Sequence, residues 1–245
     1  NHSRHKEQKP VAMGIQISDF AGGSMHVAIA VLAAVYQRAT KGIGQYIDVS
    51  MTDAVFTMNA LYGAQYFGSG RIPQPEAEIL NGGTFYDYYE TKDRRYFSVG
   101  SIEPPFRKLL CEALGIPELI DSTFNDSSYT QQRFKEAICD SFKSKTFEEW
   151  LDIFGDNFNG CVEPVLDFEE ACNHPQIMAR NLLVAVPKTD GTFQKQIGTA
   201  IKFQHIEPTY QFVGAKLGEH TEQLLTQLGY SNEKIEQLKK NGVLD

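Results

Sequence analysis

The chain has 245 residues, and its 31 acidic and 23 basic side chains give a formal net charge of −8 at pH 7. Nucleic-acid binding requires a basic stripe or patch, which this acidic sequence lacks, so nucleic acid is excluded as a partner. An apolar share of 42% and a charged share of 22% are ordinary for a globular protein with a buried core.

The sequence predicts a cytoplasmic protein without a membrane segment. Its longest apolar run, Val27 to Tyr36, has half of the ~20 residues that a membrane-spanning helix needs, and it therefore predicts a buried helix. No signal peptide is visible. The cysteines show no CxxC or CxH spacing, which favours free thiols in a reducing compartment over disulfides or a metal site. They are Cys111, Cys139, Cys161 and Cys172.

The chain begins with NHSRHKEQKPVAMG, a polar stretch without an initiator methionine. It has no apolar periodicity, so we interpret residues 1–14 as a polar leader in loop conformation. The same feature leads us to expect that the sequence is part of a longer protein.

The first part of the chain predicts a helix, a strand and a second helix. Ser24 is a candidate N-cap for a helix over Met25–Thr40, which is apolar on nearly every side. Gln45–Met51 alternates in polarity and predicts a short strand. A second helix then begins at Thr52 or Asp53. This order is typical of an α/β domain.

After a Pro- and Gly-rich connection, Arg71–Gly83, the pattern changes to that of a mixed α+β domain. Two strand-like runs flank Lys92-Asp93-Arg94 and predict a hairpin. Helices, a further pair of strands and two C-terminal amphipathic helices follow. The first three helices are predicted over 103–115, 128–145 and 146–155, the last with Thr146 as its cap. A short strand and a helix from about Asp167 come next, followed by strands over 182–187 and 193–198. The two C-terminal helices lie within 218–243.

Asp19 is the first candidate catalytic residue, because it precedes Gly22-Gly23 and the start of the apolar helix. A carboxylate at this position can cap free N–H groups at the start of a helix. The glycines also allow a substrate to approach the backbone closely, since they carry no side chain. The residues alone leave the capping and the functional interpretations open.

Glu103 is the second candidate, in the segment VGSIEPPF between a strand and a helix. Acidic residues are common at such helix starts for structural reasons, so a capping role and a functional role both remain open. Asp19 and Glu103 are far apart in the sequence, and only folding or assembly brings them together. Of the histidines, His26 lies on the apolar helix, where core packing or a cleft position is possible.

Several co-linear segments resemble the class III CoA-transferase superfamily. IQISDFAGGSM followed by an apolar helix and KGIGQYIDVSMTDAV carry its general signature, and LNGGTFYDYYETKDRRYFSVGSIEPPF resembles the α-methylacyl-CoA racemase branch. CVEPVLDFEEACNHPQIMARN and LGEHTEQLLTQLGY are similar to its later segments. The similarity runs from about Ile15 to Val243.

The resemblance implies roles for specific residues. Asp19 occupies the position of the central catalytic aspartate, a nucleophile in the transferases and one of two acid/bases in the racemases. Glu103 matches the glutamate that supports the catalytic histidine. The N–H groups beside Gly22 and Gly23, at a helix N-terminus, are suited to bind the thioester oxygen as negative charge develops on it.

The acyl group of the substrate is expected to contact an apolar, methionine-containing surface, for which Met51 and Met58 are candidates; core packing is the alternative. The resemblance implies neither a metal nor a cofactor, since coenzyme A enters as part of the substrate.

The expected activity is epimerisation of 2-methylacyl-CoA by α-proton removal and return through an enolate. The alternatives are CoA transfer between carboxylic acids through an acyl-Asp19 intermediate, and a catalytically incomplete subunit of a split enzyme. The family's second acid/base is a histidine about thirty residues before the aspartate, and His2 and His5 lie too close to Asp19 to match it. We therefore expect the chain to lack the family's N-terminal third and to be inactive alone.

The implied fold is α/β, with an incomplete Rossmann-like large domain, a small α+β domain and an interlocked homodimer in which Asp19 and Glu103 meet across subunits. The predicted divisions are 1–14 (leader), 15–80 (CoA-binding large domain), 81–205 (small domain) and 206–245 (helices returning to the large domain).

Overall fold

A computed structural model describes residues 13–121, 127–155, 157–188 and 190–244. The chain is divided into two compact units, Asn1–Val165 and Leu166–Asp245. Most of the predicted leader, including His2 and His5, lies outside the described residues. The division into domains at residues 80 and 205 stays a prediction.

The first unit begins with a helix that changes its pitch. A π-helical turn, Ser18–Met25, runs directly into α1 (His26–Lys41), which ends at Gly42 in the left-handed conformation (φ 70°). The helix and its glycine end are as predicted. Its start is not, because Ser24 lies inside the helical segment and caps nothing.

Helix α1 is exposed, which corrects the prediction that it is buried. None of its residues is buried, and Leu32 and Tyr36 are 69% and 71% exposed. Together with the π-helical turn it forms a helical segment of 24 residues, which by length and composition alone could cross a membrane. This is weak evidence for a membrane segment, because core helices of globular proteins pass the same test. The absence of a membrane segment therefore stays a prediction.

The strand predicted over Gln45–Met51 does not form; residues 42–50 are irregular in the structure. A strand requires a hydrogen-bonded neighbour, and no described strand pairs with this segment. Helix α2 (Met51–Thr57) follows, and Ser50, not Thr52 or Asp53, provides its N-cap by accepting a hydrogen bond from the Asp53 N–H at 3.3 Å. Helix α3 (Ala60–Ser69) follows after a break in what was predicted as one helix.

A three-stranded antiparallel sheet comes next, in the order β1 (Asp87–Glu90), β2 (Tyr96–Val99), β3 (Val162–Pro164). The predicted hairpin is confirmed: Asp87 pairs with Val99 and Glu90 with Tyr96. β3 joins the other edge of β2 from more than sixty residues away in the sequence. The helices of this region are α4 (Pro104–Leu114), α5 (Ser128–Lys143) and α6 (Phe147–Phe154), with a 3₁₀ turn at Pro117–Leu119.

Aromatic side chains form the core between this sheet and the helices. Phe97 of β2 is fully buried, with ring centroids 5.5, 5.0 and 5.4 Å from those of Phe142, Phe147 and Phe154. The indole N–H of Trp150 donates to the Phe142 carbonyl at 2.9 Å, so this large side chain is buried without an unsatisfied donor. The cluster holds α5 and α6 against the sheet.

The connection before the sheet is organised around one buried carboxylate. Glu78 is 2% exposed and accepts hydrogen bonds from both terminal nitrogens of Arg71, from the Gln65 amide and from the Gln74 N–H. Burial raises the pKa of Glu78, but the Gln74 N–H, Arg71 and Gln65 outweigh burial, and the net pKa lies below its ordinary value. The connection predicted to mark a domain boundary is therefore tied to α3.

Replacing Glu78 by glutamine is expected to destabilise the protein at pH 7 by about 1–3 kcal/mol, because the charged hydrogen bonds are lost. A carboxylate with a lowered pKa stabilises the fold above its unfolded pKa of about 4.3, and that contribution is lost as pH falls through the folded pKa. The difference in urea midpoint between Glu78→Gln and the parent should thus be large at pH 7 and shrink below about pH 4. A difference that is independent of pH would contradict this assignment.

The second unit contains short helices and one hairpin. Helices α7 (Phe168–Asn173) and α8 (Pro175–Ala179) precede β4 (Leu183–Pro187) and β5 (Phe193–Ile197), which pair antiparallel. Asp167 begins α7 with a capping box, as the sequence predicted. Helices α9 (Thr221–Gln227) and α10 (Asn232–Lys240) end the chain.

The structure is a mixed helix-and-sheet fold, in agreement with the α/β prediction. All strand pairs among the described residues are antiparallel, so the Rossmann-like arrangement expected for the large domain has no parallel sheet in this part of the chain. The Rossmann-like domain and the interlocked dimer stay predictions.

Candidate active site

The candidate site begins with close packing between the π-helical turn and α2. A Cβ atom placed on Gly22 would lie 3.1 Å from Val55 Cγ2 and 3.4 Å from the Met51 carbonyl oxygen. A Cβ on Gly23 would lie 3.4 Å from Met51 Cγ. The two glycines therefore let the turn approach α2 to backbone contact, a structural reason for the pair that the sequence analysis did not consider.

A π-helical turn is itself unusual. Such turns are rare in proteins and often occur at functional sites. Here the turn contains Asp19 in its first few residues and Gly22-Gly23 in its middle. His26 stabilises its end, because the ring Nδ1–H donates to the Ala21 carbonyl at 2.6 Å. His26 therefore stabilises the π-helical turn, a structural role that the sequence analysis did not identify.

An open groove of about 890 Å³ runs from Asp19 along α1. Its wall is apolar and includes Val27, Val31 and Leu32 from α1 and Met51 from α2. Asp19 is exposed and is the one ionisable residue that lines the groove. A carboxylate at the end of an apolar channel is suited to act on a ligand whose body is apolar and whose reacting atom lies near its polar end.

The structure brings together some of the predicted site residues. Asp19, Gly23 and Met51 line the same groove, and Gly22 packs beside them against α2. Met58 follows the last residue of α2, about two helical turns from Met51. It does not line the groove.

Glu103 lies elsewhere, on a tightly held loop. It is exposed and occupies the N-cap position of α4, but its side chain makes no capping hydrogen bond. The loop is fixed on one side by Ser101 Oγ, which donates to the Gly160 carbonyl at 2.5 Å. On the other side the buried Arg107 donates from Nη1 to the Ile102 carbonyl at 2.9 Å. Glu103 is thus an exposed carboxylate on a loop held by hydrogen bonds, and it makes no ion pair within the described part of the chain.

Cys161 is the titratable neighbour of Glu103. Burial raises the pKa of its thiol, and the negative charges of Glu103 and Glu163 raise it further. A thiol with a raised pKa stays protonated at neutral pH and is a poor nucleophile. Within the described ranges, no group of three or more His, Cys, Asp or Glu side chains is arranged to hold a metal ion.

Replacing Gly22 by valine is expected to destabilise the first unit by about 1–3 kcal/mol, because the new side chain has no space between the turn and α2. Gly44→Val is the matched control, since no atom lies within 4 Å of its added Cβ. Urea-unfolding midpoints of the two variants measure the difference. Equal midpoints would mean that the contact with α2 is not maintained in solution.

The profile of CoA-transferase family III matches residues 2–221. The chain belongs to this family. Among curated family relatives, the α-methylacyl-CoA racemase of Mus musculus is 32% identical over 235 residues, which are 94% of this chain and 59% of the racemase. The acetyl-CoA:oxalate CoA-transferase of Acetobacter aceti is 30% identical over 216 residues, 84% of this chain and 52% of the transferase.

The fold is shared with a solved family structure. A CAIB/BAIF family protein from Brucella suis superposes with a TM-score of 0.69 at 22% identity, over 92% of this chain and 58% of that one. The chain therefore spans between 52% and 59% of the length of these three family members. Family membership makes this chain part of an enzyme family, in which both racemases and CoA-transferases occur.

Proposed function

We propose that the protein epimerises 2-methylacyl-CoA thioesters by removing and returning the α-proton. The observation that carries the proposal is the position of Asp19 as the one carboxylate at the end of an apolar groove, beside a glycine pair in a π-helical turn. The similarity to α-methylacyl-CoA racemase over 94% of the chain supports the same reaction.

Asp19 acts as one acid/base. Its carboxylate accepts the proton from the α-carbon of the thioester, the electron pair moves to the carbonyl oxygen, and an enolate forms. A proton returned to the opposite face of that carbon gives the other epimer, and return to the same face regenerates the substrate. The backbone around Gly22 and Gly23 is proposed to lie against the thioester oxygen, where N–H dipoles stabilise the developing negative charge.

The second acid/base is proposed to be a histidine about thirty residues before Asp19 in the full-length natural protein, as the family resemblance implies. His26 is not a candidate, because its Nδ1 is bonded to the Ala21 carbonyl and it does not line the groove. Glu103 is proposed to orient that histidine from a second subunit of an interlocked homodimer. The Glu103 carboxylate is exposed and makes no capping hydrogen bond, and its loop is held by the Ser101 hydrogen bond. Both observations support a contact between this carboxylate and a second subunit.

The acyl group is proposed to lie on the apolar wall of the groove, with Met51 in contact and Met58 farther away. No metal and no separate cofactor enter this reaction, because the thioester itself makes the α-proton acidic. We propose a cytoplasmic protein that acts on acyl-CoA and has neither a nucleic-acid nor a membrane partner.

The second candidate is CoA transfer, in which Asp19 attacks the thioester carbonyl carbon, CoA leaves as the thiolate, and an acyl-Asp19 anhydride forms. The similarity to acetyl-CoA:oxalate CoA-transferase favours it as the alternative. A third possibility is that this chain is the catalytically incomplete subunit of a split enzyme. Native mass spectrometry would support it by finding a tightly bound second chain.

The test is α-proton exchange of 2-methylacyl-CoA in D₂O, with the full-length natural protein. Exchange without transfer of CoA to an added acid supports racemisation. A mass increase at Asp19 without exchange supports transfer instead.

The same assay tests Glu103. We expect Glu103→Gln to lower the exchange rate roughly 10- to 100-fold, the range for a carboxylate that orients a functional histidine. Glu112→Gln removes the same charge from the exposed face of α4, where Glu112 makes only a 3.8 Å surface pair with Lys108. It should leave the rate unchanged, and equal losses in both variants would remove Glu103 from the mechanism.

A further inference from the structure

The second unit contains a cavity that the proposed reaction does not use. It has a volume of about 420 Å³ and lies between the end of α8, strand β4 and the irregular segment 199–210. This volume is within the range of small-molecule sites. Half of the residues that line it are apolar, including Val184, Phe203 and Ile206, and the other half are charged or polar.

Two cations line this cavity. Arg180 and Lys202 reach it from different segments, one after α8 and one after β5. Neither takes part in an ion pair within the described residues, whereas Lys188 and Lys239 in the same unit each form an ion pair with a carboxylate. Two unpaired cations at one cavity, in a chain with a net charge of −8, form a local site for an anion.

Tyr210 adds a directed donor. Its hydroxyl oxygen accepts a hydrogen bond from the Thr199 N–H at 2.9 Å, which leaves the hydroxyl proton available to a ligand. Gly198 makes this position possible, because a Cβ there would lie 2.9 Å from the Tyr210 hydroxyl and 2.8 Å from Val184 Cγ1. The tyrosine is therefore held at the cavity wall by the two residues that follow β5.

The charge of the ligand is limited by Glu207, which lines the same cavity. A phosphate dianion would be repelled by this carboxylate more strongly than a monoanion. The apolar half of the lining favours a ligand that also carries a hydrocarbon portion. A molecule with one carboxylate and a short hydrocarbon body satisfies both conditions.

We propose that this cavity binds a small free monocarboxylate, with its carboxylate at Arg180, Lys202 and the Tyr210 hydroxyl and its hydrocarbon body against Val184 and Phe203. This site belongs to the second unit and is independent of the reaction at Asp19.

The test is a titration of the ¹⁵N-labelled chain with octanoate, followed by the amide signal of Thr199. We expect a saturable shift, and we expect the dissociation constant to rise about tenfold or more in Arg180→Gln/Lys202→Gln. Lys195→Gln is the matched control for Lys202→Gln alone, because each removes one positive charge and Lys195 lies in β5 without lining the cavity. Octanol and octyl phosphate serve as ligands that lack the carboxylate, and both should shift the Thr199 signal less than octanoate does.

The proposal is overturned if octanol shifts Thr199 as strongly as octanoate, if the double variant binds as tightly as the parent, or if no saturable shift occurs. The amide signal of Val186 in β4 reports whether the hairpin is intact in each variant. If the double variant loses that signal, Lys202→Gln decides the question, since Lys202 lies in an irregular segment and makes no ion pair among the described residues.

Discussion

Replacing Asp19 by asparagine is expected to lower α-proton exchange of 2-methylacyl-CoA by about 10²- to 10⁴-fold in the full-length natural protein. Asparagine keeps the size of the side chain but cannot accept the proton. Because Asp19 is exposed and no hydrogen bond to its side chain is observed, the fold should be retained. The exchange rate is measured by mass spectrometry of the thioester in D₂O, and the urea midpoint checks stability.

The matched control is Asp53→Asn, in the first turn of the neighbouring helix α2 and outside the groove. It should leave exchange within about twofold of the parent, since surface substitutions away from the reacting atoms have small effects. If Asp19→Asn retained full exchange, the groove at Asp19 would not be the site of proton removal. Loss of CoA transfer in place of exchange would assign Asp19 to the transferase reaction.

Replacing Phe97 by alanine is expected to destabilise the first unit by about 3–5 kcal/mol, the range for deletion of a fully buried aromatic side chain. The ring packs against Phe142, Phe147 and Phe154, so its loss leaves a cavity among three other rings. A domain is stable by only about 5–15 kcal/mol in total, and this one substitution therefore removes a large part. Urea unfolding followed by the fluorescence of Trp150 measures the effect.

Tyr129→Ala deletes a similar ring from the surface of α5, where Tyr129 is 72% exposed. It should change the free energy of unfolding by no more than about 0.5 kcal/mol. A cost for Phe97→Ala below about 1 kcal/mol would show that the aromatic cluster collapses to fill the space. Because β2 leads directly to the Glu103 loop, a destabilised sheet should also reduce any activity that depends on Glu103.

Local signals in the sequence predicted most of the elements that form. Thr146 and Asp167 each begin a helix with a capping box, and both were identified from residue type and position. Glycine ended α1 where expected. Turn residues marked the hairpin of β1 and β2, and its observed tip contains Arg94 in the left-handed conformation (φ 64°).

Features that depend on distant parts of the chain were not predictable. The strand over Gln45–Met51 has the right alternation but no partner among the described residues, and periodicity carries no information on pairing. The pairing of β3 with β2 and the packing of Phe97 on Phe142 likewise depend on residues far apart in sequence. Exposure of α1 contradicts its composition, because burial is decided by what surrounds a helix as well as by its own residues.

The candidate site was predictable in part. Asp19 and its glycines were found from their position before an apolar helix, and Met51 from its residue type and the family resemblance. The π-helical turn was not foreseen, because no capping residue or periodicity distinguishes a wider turn from an ordinary helix start. Neither the contact of Gly22 with Val55 nor the hydrogen bond from His26 to Ala21 has a signature in the sequence.

The wider turn at Ser18–Met25 determines the direction in which Asp19 points. Each residue of an α-helix advances the chain by about 100° around the axis, so adding or removing one residue rotates everything before it by that angle. If Ser18–Met25 kept all of its residues but became regular α-helix, each residue would turn farther about the axis than in the wider turn, and Asp19 would rotate away from the face that carries Val27 and Val31. The length of this one turn, and not only the presence of an aspartate, thus sets the angular register between the carboxylate and the groove.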